Sequence, residues 1–89
     1  MPKRSWMLSK RNDLNLTQRA IAEQIGISYQ HYGFIENGTR GIHITLGVAG
    51  RIAAVLGMKL EEFFALEEAF QRQVLSDAVE IFQPMSQTI

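Results

Sequence analysis

Apolar residues along this 89-residue chain recur three and four positions apart, and no stretch alternates with period two for long, so the pattern predicts helices throughout. The first is expected over residues 5–13, closed by the turn Asn12-Asp13-Leu14-Asn15. Thr17 is suited to cap a second helix running to Ile25, with Ile21, Ala22 and Ile25 facing inward. Gly26 ends it, because glycine accepts the left-handed backbone that a helix C-terminus favours. Ile27 then reads as a buried pivot, and Ser28 as the cap of a third helix reaching Asn37. Gly38-Thr39-Arg40-Gly41 is a tight, cationic loop. Thr45 caps a fourth helix that ends at Leu56 before Gly57. A short fifth helix is expected from Lys59 to Phe64, with Glu61 and Glu62 in its first turn, where the helix dipole favours negative charge. A further stripe, Leu66, Phe70, Val74, Ala78, Ile81 and Phe82, extends to Pro84 and reads as an additional C-terminal helix. The expectation is an all-α fold, with a domain over residues 1–66 and a helical extension over 67–89.

Composition narrows the class without naming it. At 46% hydrophobic and 20% charged the chain is ordinarily globular, and its length suits one compact domain with an appended helix. The absence of cysteine excludes disulfides and thiolate metal sites, and suits a cytoplasmic setting. No apolar run approaches a membrane span, and the first residues do not have the build of a secretory signal, since Lys10 and Arg11 interrupt the apolar Trp6-Met7-Leu8. Lys3 and Arg4 read as a disordered terminus ahead of the alternative, a short arm that touches DNA.

Net charge is zero, but its distribution is uneven. Residues 1–59 carry eight Lys or Arg against three acids, an excess of +5; residues 60–89 carry one base against six acids, an excess of −5. A basic region that faces phosphates and an acidic region that stays clear of them would use this asymmetry.

Candidate chemistry is concentrated in Leu16-Thr17-Gln18-Arg19-Ala20-Ile21-Ala22-Glu23-Gln24-Ile25-Gly26-Ile27-Ser28, continuing to Ile35-Glu36-Asn37-Gly38. Ala22 is small where two helices must cross closely, Gly26 turns the chain, Ile27 anchors the turn and Ser28 starts the next helix. Ile21, Ile25, Tyr32 and Ile35 close a shared core, which leaves Tyr29, Gln30, Gly33 and Phe34 on the outer face of the third helix. A helix fits the DNA major groove, where each base pair shows a distinct pattern of donors and acceptors.

The ordered string Leu-Thr-Gln, Ile-Ala, Gly-Ile-Ser, Ile-Glu-Asn-Gly and Ile-Ala-Ala-Val-Leu-Gly resembles the Cro and phage-repressor type of helix-turn-helix domain, the XRE-like family, over residues 7–64. The resemblance implies a five-helix lambda-repressor-like domain that binds operator DNA as a dimer on a palindromic site. It implies base contacts from Tyr29, Gln30, Gly33 and Phe34, and backbone contacts from Gln18, Ser28, Asn37, Thr39, Arg40 and Gly41. It also implies a partly buried ion pair between Arg11 and Glu36. Tyr29 and Phe34 depart from the family pattern, being aromatic where hydrogen-bonding side chains are usual, which shifts the readout toward stacking and thymine-methyl contact. Ile44 stands where proline is frequent, and Gly47 and Gly50 make the fourth helix glycine-rich.

Other chemistries find no support in the chain. His31 and His43 are the only histidines and have no metal-ligand spacing around them, no strand–turn–helix surrounds a nucleophile, and no small-molecule or cofactor motif is present. The expected partners are double-stranded DNA and a second copy of the chain, joined through Leu66, Phe70, Val74, Ala78 and Phe82. Two alternatives stand beside a dimeric repressor: an antitoxin-type autoregulator whose tail binds another protein, and an interaction module that kept the fold without binding DNA.

Overall fold

The computed structural model describes residues 2–39 and 41–82, with the side chains of residues 78–82 excepted. Among them are five helices and no strand: α1 Ser5–Asp13, α2 Gln18–Ile25, α3 Tyr29–Asn37, α4 Leu46–Val55 and α5 Leu60–Phe82. Local chemistry sets the boundaries. The side-chain oxygens of Thr17, Ser28 and Thr45 accept hydrogen bonds from the backbone N–H groups of Ala20, His31 and Val48, at 3.0, 3.0 and 3.2 Å. Each cap satisfies one donor that the first helical turn leaves free. Gly26 ends α2 at φ +76°, and the N–H of Ile27 reaches back to the Ala22 carbonyl at 3.1 Å.

The core lies where α2, α3, α4 and the start of α5 meet. Met7, Ile21, Ile25, Tyr32, Ile35, Ile52 and Phe63 are fully buried, and Ala22, Ala49 and Ala53 let the helices approach closely. The Trp6 ring stands edge-on to Phe63, with centroids 5.2 Å apart. Ile27 is half-buried against this core rather than enclosed by it.

Two expectations change here. The short fifth helix and the additional C-terminal helix are one continuous α5 of 23 residues. No glycine or proline interrupts residues 60–82, so nothing in that stretch breaks the hydrogen-bond ladder. The expected division between residues 66 and 67 therefore falls inside a helix, and Glu67 and Phe70, assigned to the extension, pack on the domain.

Arg4 is the second change. It is only 4% exposed, far from a disordered arm. Its Nε and Nη2 donate to the two carboxylate oxygens of Glu67 at 2.8 and 2.6 Å, and its Nη1 donates to the Ile35 carbonyl at 2.6 Å. The guanidinium also lies 4.4 Å from the centroid of the Phe70 ring. Its backbone N–H donates to the Glu36 carbonyl at 2.9 Å. One side chain thus joins the N-terminal segment, the end of α3 and the second turn of α5.

Replacing Arg4 strips Glu67 of its counter-charge and leaves the Ile35 carbonyl without this donor. Arg4→Ala is expected to lower stability by about 2–4 kcal/mol. Arg4→Lys recovers only part of this, because an ammonium lacks the planar fork that meets both oxygens. Urea unfolding of the three proteins measures the difference; equal stability of Arg4→Ala and wild type would show the contact contributes nothing.

Candidate nucleic-acid interface

Two short helices, α2 and α3, joined through Gly26, Ile27 and Ser28, form a unit whose second helix has one face in the core and one in water. Tyr32, Ile35 and Glu36 point inward. Tyr29 and Phe34 stand 44% and 45% exposed, with Gln30 and Asn37 also exposed. Gln30 and Phe34 are four residues apart and therefore share a row on the outer face.

The inner face is held by a carboxylate. Glu36 accepts hydrogen bonds from Arg11 Nε at 2.8 Å and Nη2 at 3.0 Å, from Gln18 Nε2 at 2.8 Å, and from the Tyr32 hydroxyl at 2.8 Å. Arg11 Nη1 adds a bond to the Leu16 carbonyl at 2.7 Å. Burial on its own would push the Glu36 carboxyl up, but the bonds from Arg11, Gln18 and Tyr32, with the Arg11 charge, outweigh it and hold the group below the ordinary carboxylate range. Its contribution to stability is consequently complete above the usual carboxylate range and fades as pH falls through the lowered value. The same pair raises Arg11, chiefly through the Glu36 hydrogen bond, while burial and the bond to Glu36 push the Tyr32 phenol well up. Arg11 is thus the cation and Glu36 the anion of a buried ion pair.

The remaining residues of the expected interface lie around the ends of α3. Ser28, at the N-cap, is exposed, and its oxygen already accepts the His31 N–H. Gln18, half-buried, spends its amide N–H on Glu36 and keeps its carbonyl oxygen beside Gly33. Thr39 and Gly41 are exposed, with Gly41 at φ +79°. Arg40 lies outside the described residues.

Arg19 joins the residues around this face. On the first turn of α2, its guanidinium sits 4.6 Å from the centroid of the Tyr29 ring. The only local signal was an exposed cation beside Gln18. The overall charge asymmetry is also weaker in space than along the chain, because Arg4 pairs with Glu67 at 2.6 Å and Lys10 approaches Glu62 at 3.7 Å.

The expected dimer surface is redistributed. Leu66 packs against the core and Phe70 is 6% exposed beneath Arg4, so the protein's own domain covers both. An amphipathic stripe of this length serves its own core first, since Phe63, Leu66 and Phe70 follow one helical face. Val74 is half-buried, and the side chains of Ala78 and Phe82 lie outside the described residues. Apolar surface on α5 is exposed instead at Phe64 and, most of all, Leu75 at 66%. Leu46, Ile44, Phe64 and Gln71 line a groove of about 440 Å³ between α5 and the segment leading into α4.

A capped helix, a three-residue turn and a second helix with an uncovered polar and aromatic face define a helix-turn-helix protein. A family model described as Helix-turn-helix matches residues 7–63. The chain belongs to this family, in its XRE or lambda-repressor-like form, which is a DNA-binding regulatory domain and not an enzyme family. No curated protein and no solved structure matches the chain. No described helix is long and apolar enough to cross a membrane.

Gly33 offers a way to separate packing from recognition. A Cβ added there would meet only the Gln18 side-chain oxygen, at 3.9 Å, which is ordinary contact, and the backbone is not left-handed. The fold therefore does not demand glycine. Gly33→Ala is expected to stabilise the protein by about 0.5–1 kcal/mol while weakening DNA binding, as read by thermal unfolding and by titration with duplex. Unchanged DNA affinity would assign Gly33 no part in the interface.

Proposed function

We propose that the protein is a transcriptional repressor that binds a palindromic operator as a homodimer, with α3 of each copy in the major groove. The observation that carries this reading is the pairing on α3 of a rigid inner face, fixed by Glu36, with an outer face left open. Tyr29, Gln30, Gly33 and Phe34 meet base edges in this reading. Gln18, Ser28, Asn37, Thr39, Arg40 and Gly41 hold the phosphate backbone from either end of the helix, where N–H groups, hydroxyls and cations make such contacts. Repression needs nothing beyond occupancy: a dimer seated on promoter DNA excludes other proteins from it.

Selection of bound duplexes from a random pool tests the reading and supplies the operator. On the enriched duplex, Gln30→Ala is expected to cost about 1–3 kcal/mol and to relax preference at one position per half-site, because Gln pairs with adenine N6 and N7 through two bonds. Equal loss on enriched and random duplexes would remove Gln30 from base recognition.

Dimerisation is assigned to the outer surface of α5 and the adjoining groove, where Phe64, Leu75 and Leu46 leave apolar area uncovered. The full chain is expected to sediment as a dimer at micromolar concentration, and Leu75→Glu as a folded monomer, since Leu75 contributes little to the domain's own core. A wild-type monomer, or an unaltered dimer in Leu75→Glu, would place the interface elsewhere or remove it.

A further inference from the structure

We infer that the recognition face selects A·T base pairs by seating pyrimidine 5-methyl groups against Phe34 and Tyr29, so that its ligand is DNA with thymine at the positions α3 meets. This rests on the major-groove role proposed for α3 and adds the chemistry of what it reads. Residues 29–37 contain no Lys or Arg, whereas two-bond contact from Arg or Lys to guanine O6 and N7 is the commonest specific handle on a G·C pair. The cation beside this face, Arg19, is stacked on the Tyr29 ring at 4.6 Å, on the flank of α3 rather than its centre. What α3 turns outward is two amides, at Gln30 near its start and Asn37 at its end, and two rings.

Those rings are 44% and 45% exposed in the free protein. Aromatic carbon left in water gains free energy when it is covered, and the major groove offers one apolar group, the C5 methyl of thymine. Phe34 stands one helical turn beyond Gln30, so an amide on adenine and a ring on a neighbouring thymine methyl fall in register along one row. Gly33 lies between the Tyr29 and Phe34 positions, and only Gln18 Oε1, at 3.9 Å, lies within reach of a would-be Cβ. The notch left by that missing side chain gives the methyl depth to enter.

The test isolates the methyl. The full-length protein is used to enrich a site from a random duplex pool, and each thymine of that site is then replaced singly by deoxyuridine, which keeps every hydrogen-bonding group and removes only C5 methyl. Binding is expected to weaken about fourfold at one or two thymines per half-site, the effect of one methyl-sized group leaving an apolar contact. In Phe34→Ala or Tyr29→Ala the difference between thymine and uracil at the matching position is expected to vanish; the wild-type series stands on its own should either variant fold poorly. An enriched site on which every uracil replacement is silent, or whose positions under α3 are G·C pairs, overturns methyl reading and leaves DNA recognition intact. Failure to enrich any site overturns the DNA reading and this inference with it.

Discussion

The buried carboxylate of Glu36 is the point on which the recognition unit turns. Arg11 comes from α1, Gln18 from α2, and Tyr32 and Glu36 itself from α3, and their hydrogen bonds converge on two oxygens. A buried charge is tolerated only when paired and hydrogen-bonded, so the site enforces its own geometry. Any rotation of α3 about its axis would separate Glu36 from donors on two other helices and leave both Arg11 and Glu36 poorly solvated. The orientation of the outward residues is thus set by what the opposite side of the same helix must satisfy. Gln18 joins the two functions, with its amide N–H on Glu36 and its carbonyl oxygen facing Gly33 at the rim of the outer surface.

A second lock fixes the far end of the same helix. Arg4 donates to the Ile35 carbonyl, which also accepts the Gly38 N–H at 3.1 Å, and ties it to Glu67 on α5. With Glu36 secured from the side and Ile35 from the end, α3 has little freedom within the domain. Such preorganisation suits a helix that meets a rigid ligand, since less motion has to be lost on binding. The arrangement also draws the two charge-biased halves of the chain together, since Glu67 and Glu62 serve as partners for Arg4 and Lys10.

The parts of the fold visible in the sequence are those decided within a few residues. Thr17, Ser28 and Thr45 cap helices through bonds to N–H groups three positions on, and Gly26 and Gly38 close α2 and α3 in left-handed conformations, so composition and spacing locate these boundaries. Period alone was ambiguous along α5. A stripe at three- and four-residue intervals shows which residues share a face, but whether Leu66 and Phe70 meet their own domain or another molecule depends on elements far away in the chain. The pattern suggests a short helix to Phe64 and a further one from Leu66, although nothing between Leu60 and Phe82 interrupts helical backbone. Arg4 was the least legible residue, because its partner Glu67 is 63 positions distant and a cation near a terminus ordinarily lies in solvent. Arg11 and Glu36, 25 positions apart, carry no local mark either; only the family likeness set them side by side.

The C-cap of α3 has a consequence for how the protein comes into being. Gly38 sits at φ +68°, and a Cβ there would run into the Pro2 carbonyl and the Phe70 ring, which close on it from either side. The end of α3 is therefore the place where the segment at Pro2 and α5 meet. During synthesis α2 and α3 leave the ribosome well before residue 70 does, and domains complete their folding as units. Until α5 has emerged and docked, the end of α3 lacks its Glu67–Arg4 tether and its Phe70 neighbour. α3 is thus among the first helices to be made, yet its C-terminal end is completed only when α5 docks.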